Sequence, residues 1–236
     1  MNLLALDTST EWMSIAVQRR GVATPWQTTA SGGAHSSTHL IPEIQRLMAL
    51  AQLRFDELDA IVFGAGPGSF TGLRTACSVA QGLAFGANLP VLPVDTLLAV
   101  AEEARWQLGN SETLRVTAML DARMDELYTA YYEFDSNLWR QDKDYRLIKP
   151  EVLEWDGVGV LAGNVFAAYG PRLPTAAGVR VLALPSATAM LRLAPALLAV
   201  GGAVTAAQAL PTYIRDKVAQ TTQERLAAKT GNAATP

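Results

Sequence analysis

Several chemistries are excluded or made difficult by what this 236-residue chain holds little of. It has one cysteine, Cys77, so no internal disulfide can form. Flanked by Ala76, Val79 and Ala80, that thiol reads as a small core residue in a reducing compartment. The chain has two histidines, His35 and His39, and a Ser-His-Asp triad would need one of them beside Ser69, a pairing the sequence does not support. Lys and Arg number 19 against 22 Asp and Glu, a net charge of −3. Phosphate neutralisation needs clustered cations, so this chain is not expected to grip a nucleic acid alone. No run approaches the roughly 18 apolar residues of a membrane span. The Ala-rich stretch from Met190 to Ala209 is interrupted by Arg192, Pro195, Gly201 and Gly202. Met1 and Asn2 lead straight into a strand-like run without a charged and apolar leader, so a cytoplasmic location and no membrane partner are expected.

The composition that is present, 50% hydrophobic and 17% charged, suits one large core or two small ones. The pattern begins with three strands: Leu3 to Leu6, the alternating Met13, Ile15 and Val17, and a weaker one from Ala23 to Thr29. Helical spacing follows in Leu40, Ile44, Leu47, Met48 and Ala51, then a strand from Ala60 to Phe63 and a helix from Gly72 to Ala87. A strand at Val91 to Val94 and a helix at Thr96 to Leu108 close the half. After polar Gly109 to Glu112 the order repeats: strands at Arg115 to Leu120, Leu127 to Phe134 and Tyr145 to Ile148, a short helix at Pro150 to Trp155, strands at Val158 to Gly163 and Val179 to Leu184, and a helix at Ser186 to Val200. Each half opens with an apolar strand ending in aspartate, Asp7 and Asp121, which suggests an internal duplication. A β-β-β-α-β-α-β-α unit used twice is similar to the α/β fold of actin, hexokinase and Hsp70. The expected division is an N-terminal subdomain over 1–108, a C-terminal one over 109–216 and a flexible polar tail over 217–236.

Two features invite a chemical reading. The loop Gly64-Ala65-Gly66-Pro67-Gly68-Ser69-Phe70-Thr71-Gly72 lies between a strand and a helix, where free N–H groups could meet an anion. It lacks the Gly-Lys-Ser/Thr of a Walker loop and the third glycine of a dinucleotide fingerprint. Phosphate contact and a purely structural turn both remain open from the residues alone. His35 and His39 have H-x-x-x-H spacing, but Pro42 suits a first helical turn, and a helix starting near Thr38 leaves His35 outside it. No metal is expected. Asp121, Arg123, Asp125 and Glu126 read as a hairpin turn held by local charge pairs.

Taken together, Leu4-Ala5-Leu6-Asp7-Thr8-Ser9-Thr10, Gly66-Pro67-Gly68-Ser69-Phe70-Thr71-Gly72-Leu73-Arg74, Gln81-Gly82-Leu83-Ala84, Asp121-Ala122-Arg123-Met124-Asp125-Glu126-Leu127-Tyr128 and Pro211-Thr212-Tyr213-Ile214-Arg215 resemble the TsaB family over residues 1–216. These are degenerate relatives of TsaD in the bacterial system that makes threonylcarbamoyladenosine at position 37 of tRNA. The resemblance implies a non-catalytic scaffold that binds and activates TsaD together with TsaE. It implies a homodimer when alone, and contact with tRNA only through the complex. Asp7 is followed by no glycine before Gly21, and no histidine follows Val91 to Val94, where TsaD places its metal-binding pair. No catalytic residue and no cofactor of its own are therefore expected. ATP or ADP shared with the complex would be met at Asp7, Gly66, Gly68, Ser69 and Thr71.

Periodicity leaves two options for the helical stripes at 40–51 and 73–84, burial against a partner or inside this chain. The resemblance favours the partner, with Leu40, Ile44, Leu47, Met48, Leu73, Ala76, Val79, Ala80 and Leu83 at the interface. The alternative function is an autonomous ATP-dependent small-molecule kinase of the same superfamily.

Overall fold

The computed structural model describes residues 1–33, 36–174 and 178–215. The expected tail over 217–236 and His35 lie outside the described residues. In the first half β1 (Leu3–Asp7), β2 (Trp12–Gln18) and β3 (Trp26–Ser31) are followed by α1 (Ser36–Leu50), β4 (Ala60–Gly66), α2 (Phe70–Ala87), β5 (Val91–Asp95) and α3 (Thr96–Gln107). In the second, β6 (Leu114–Arg123), β7 (Glu126–Asp135) and β8 (Leu138–Ile148) lead to β9 (Val160–Gly163), the single-turn α4 (Phe166–Tyr169), β10 (Val179–Leu182) and α5 (Ala187–Ala199). The strands form two five-stranded sheets, ordered β3-β2-β1-β4-β5 and β8-β7-β6-β9-β10. In each, the first strand pairs antiparallel with the second and parallel with the fourth. Identical topology and pairing sense establish the duplicated actin-, hexokinase- and Hsp70-like α/β fold.

Composition explains the layering. The central strands β1 and β4 are buried along their whole length and read as continuous apolar runs, as parallel strands covered on both faces must. On one face of the first sheet, Leu4, Leu6, Ile15, Ile61 and Phe63 pack with Leu40, Ile44, Leu47 and Met48 of α1 and Ala76, Cys77, Ala80 and Ala84 of α2. On its other face, Leu3, Ala5, Val62 and Val94 meet Ala187, Met190, Leu191 and Ala194 of α5. The small α5 residues let that helix sit close. Conversely, Leu97, Val100, Ala101 and Ala104 of α3 pack on Val116, Ala118 and Leu120 of the second sheet. Each half thus lends a helix to the other's sheet, and the packing units interleave across the expected 108/109 boundary. Among the described residues the far face of the second sheet has no counterpart of α1 and α2; short segments around Leu153, Val165, Tyr169 and Leu173 cover it instead.

Pro42 departs from the sequence expectation, because α1 begins at Ser36 and places the proline inside the helix. One internal hydrogen bond is lost there, on the solvent-exposed face, and burial of Leu40, Ile44 and Leu47 outweighs it. No helix among the described residues is long and apolar enough to cross a membrane.

Charge holds the α3–α5 layer in register. Glu102 is buried, and its carboxylate accepts from Arg105 Nε at 2.9 Å, Arg192 Nε at 2.9 Å and Trp139 Nε1 at 3.0 Å. Arg192 also reaches Glu103 at 2.8 Å. Losing Arg192 takes one of the two cations from the buried Glu102 and the cation from Glu103, and buried carboxylates are costly when under-compensated. Arg192→Met is therefore expected to lower unfolding stability by about 3 kcal/mol, whereas Arg54→Met, at an exposed pair, costs less than about 1 kcal/mol. Urea titrations of the two variants check this, and equal losses would contradict it.

Candidate functional site

Asp7 ends β1 with its carboxylate folded back onto the next turn. Its Oδ1 accepts from Ser9 N at 3.0 Å and Ser9 Oγ at 2.8 Å. The duplication repeats the device: Asp121, ending the regular part of β6, accepts from Arg123 N at 2.8 Å. The two turns face one another across a cleft of about 410 Å³ lined by Ser9, Gly68, Ser69, Phe70, Asp121 and Tyr213 among others. This is the space between the halves of the duplicated fold.

Asp7 does not itself line the cleft. It is 1% exposed, and its Oδ2 has no hydrogen-bond partner among the described residues. That oxygen lies where a Cβ on residue 64 would stand, 1.9 Å from the ideal position, which is why the strand needs Gly64. Burial pushes the Asp7 carboxyl up to about 7 against the lowering effect of the Ser9 hydrogen bonds. Asp95, the N-cap of α3, is likewise raised to about 6 by burial. Its carboxylate accepts from Leu97 N at 2.8 Å and from the hydroxyl of Tyr132 on β7.

The glycine-rich loop is surrounded by this chain's own backbone. Ser69 caps α2, its Oγ accepting from Gly72 N, while Ser69 N donates to Ser9 O at 2.7 Å and Thr8 Oγ1 donates to Gly72 O at 2.6 Å. The start of α2 is pressed against the β1–β2 turn, so closely that a Cβ on residue 72 would lie 1.8 Å from Thr8 O. At Gly66 the backbone takes φ +121°, a conformation side chains disfavour, with Thr212 O beside it. Close approach of this chain's own backbone accounts for these glycines. Of the positions expected to meet a nucleotide, Gly68 and Ser69 line the cleft, Asp7 and Gly66 are buried behind it, and Thr71 is exposed on the first turn of α2.

On the opposite wall Met124 and Asp125, at φ 56° and 63°, form the two-residue hairpin between β6 and β7. The charged cluster read as a hairpin turn is one, but only one of its charge pairs is local; the other two are made with arginines 47 and 89 positions further along the chain. Asp121 meets Arg123 at 3.2 Å, Arg172 binds Asp125, and Arg215 meets Glu126 at 2.6 Å. Burial raises the Tyr169 phenol to about 12, and its donation to Asp121 at 2.9 Å adds to the rise. The acids and bases around the cleft are thus largely engaged with one another. Among the described residues no group of three or more His, Cys, Asp or Glu could hold a metal ion.

The expected interface residues are placed differently from the sequence expectation. Leu40, Ile44, Leu47 and Met48 are at most 3% exposed, and Leu73, Ala76 and Ala80 are buried too. Six of the seven, all but Leu73, belong to the cluster against this chain's own first sheet, which is therefore what the α1 and α2 stripes cover. Val79 and Leu83 are half-buried at the cluster's edge. Beside them α2 leaves Ser78, Gly82 and Gly86 open and Phe85 85% exposed, while α1 exposes Ile41. Sequence reasoning missed the roles of Phe70, Arg74 and Tyr213, which join across 139 positions of sequence. The Pro211 to Arg215 motif was the only signal that this stretch mattered.

A family model described as "TsaD: tRNA N6-adenosine threonylcarbamoyltransferase" matches residues 28–235. The tRNA threonylcarbamoyladenosine biosynthesis protein TsaB of Escherichia coli is 33% identical, covering 93% of this chain and 96% of the relative. The protein of the same name from Haemophilus influenzae is 36% identical over 92% and 95%. Among solved structures, YeaZ from Pseudomonas aeruginosa superposes with a TM-score of 0.81 at 37% identity, covering 90% of this chain and 99% of that one. Matched almost end to end by these relatives on the same duplicated fold, the chain belongs to the TsaB family.

Proposed function

We propose that this chain serves tRNA threonylcarbamoyladenosine biosynthesis as a non-catalytic scaffold that binds and activates TsaD together with TsaE. The names of its relatives support the pathway. The observation that carries the scaffold reading is the glycine loop, whose close approaches and helix-capping hydrogen bonds serve Thr8, Ser9 and Thr212 of the chain itself. A carboxyl at Asp7 held near neutrality and away from the cleft is poorly suited to hold magnesium. Nucleotide, ATP or ADP, would be met only in the complex, at Gly68 and Ser69, and tRNA only indirectly.

The docking face is the outward side of α1 and α2. Open positions at Ser78, Gly82 and Gly86 admit a closely packed partner helix, and Phe85 supplies a large apolar anchor. TsaD is the partner, and a second copy of this chain takes the same face when TsaD is absent. Phe85→Glu is expected to abolish co-purification with TsaD and leave the melting temperature unchanged. Met48→Asp, in the core, is expected to unfold the chain. Wild-type affinity in Phe85→Glu would place the interface elsewhere.

Reconstituted tRNA modification tests the whole reading. TsaD and TsaE should be inactive until this chain is added, and the isolated chain should not turn over ATP. Turnover by the isolated chain that Asp7→Ala destroys would establish the kinase alternative.

A further inference from the structure

After α5 the chain turns at Gly201 and Gly202 and runs back to the first sheet. Val204 bridges Val91, with N–O distances of 2.9 and 2.8 Å. Ala209 is fully buried against α2, its carbonyl accepting from Gln81 Nε2 at 2.8 Å and Cys77 Sγ at 3.3 Å. Thr212 N then donates to Ala65 O at 2.6 Å. The Tyr213 ring lies 5.4 Å from Phe70, and Arg74 sits 3.8 Å above Phe70 while its Nε donates to Tyr213 Oη at 2.9 Å. One residue later the attachment changes sides. Ile214 packs on the second sheet's core, and Arg215 reaches Glu126 at 2.6 Å, Arg123 O at 3.3 Å and Met124 Sδ at 3.1 Å.

We propose that residues 203–215 are a strap that couples the N-terminal turn of α2 to the β6–β7 hairpin and so sets the opening of the cleft. Thr212, Tyr213, Ile214 and Arg215 form one wall of that cleft, with Phe70 on one side and Met124 on the other. Four consecutive residues are thus anchored on both halves, so little slack separates the anchors. Among the described residues the other charge contact across the mouth, Arg123 with Glu11 at 4.0 Å, is 73% and 52% exposed and contributes little. Arg215 is 14% exposed, so its hydrogen bonds carry the tie. A change at Arg74 or Phe70 therefore reaches residues 121–126 through Tyr213 and Arg215. The coupling belongs to the single chain and does not depend on the partner assignment.

Amide hydrogen exchange on the full chain, read by mass spectrometry, tests it. Tyr213→Ala removes contacts made only in the first half, yet is expected to speed exchange at residues 121–126 by about fivefold or more. Arg215→Met should do the same from the other end. Arg46→Met, which breaks the Arg46–Glu43 pair on α1, should leave those residues at the wild-type rate. Should Tyr213→Ala fold poorly, Arg74→Met removes the hydrogen bond to the Tyr213 hydroxyl and carries the same expectation. Faster exchange confined to residues 70–75, with 121–126 unchanged in the folded variants, would overturn the strap.

Discussion

Gly72→Ala is expected to destabilise the protein by about 3–5 kcal/mol, although alanine is the better helix former by about 1 kcal/mol. The new Cβ would lie 1.8 Å from Thr8 O and 2.9 Å from Thr8 C, both backbone atoms. Relief would require α2 to withdraw from the β1–β2 turn, breaking the Thr8 Oγ1 to Gly72 O hydrogen bond and the Ser69 N to Ser9 O bond together. Gly82→Ala, on the open face of the same helix, meets nothing within 4 Å. That variant should gain up to about 1 kcal/mol, because alanine loses less backbone entropy. Thermal or urea unfolding of the pair separates close approach from propensity. Similar effects of the same sign at both positions would mean that the α2 N-terminus does not press on the turn as described.

Asp7→Asn is the second large effect, and its size depends on pH. The carboxyl rises from 3.8 to about 7 on folding, so the native state prefers the protonated form. Asp7 therefore costs nothing below the unfolded value and lowers stability progressively as pH rises from about 4 to 7. The full loss is of order 4 kcal/mol, from about three pK units at 1.36 kcal/mol each. Asparagine keeps the acceptor for Ser9 N and Ser9 Oγ and carries no charge. The variant should match the wild type at pH 4 and exceed it by several kcal/mol at pH 8. A difference between the two that does not change with pH would show that Asp7 is not buried as a strained carboxylate. Asp95, raised to about 6, contributes to the wild type's pH dependence in the same direction but cancels in the comparison.

These two positions explain why the loop was only half legible in sequence. Four glycines between a strand and a helix announce a close approach, but glycine is equally compatible with a phosphate and with a carbonyl. What these glycines approach in the folded chain is Thr8 O, Ser9 O and Thr212 O, brought in from 64 positions before Gly72 and about 140 after it.

The sequence by itself determined the order of the strands, the repeat of a strand leading into an aspartate turn, and the hairpin at 121–126, because these rest on periods and turn chemistry within a few neighbouring residues. The short helix expected at Pro150 to Trp155 is only a 3-10 turn over Pro150–Val152, and α4 was not expected. Tertiary structure alone decided what covers each apolar face. A 3.6-residue stripe such as Leu40, Ile44, Leu47 and Met48 records that something covers it, not whether that surface is a partner or the chain's own β1, β2 and β4. The exchange of α3 and α5 between the sheets and the return of residues 203–215 over α2 were invisible for the same reason. Each joins residues far apart in sequence, and burial is a property of where the chain has been brought, not of the residues being buried.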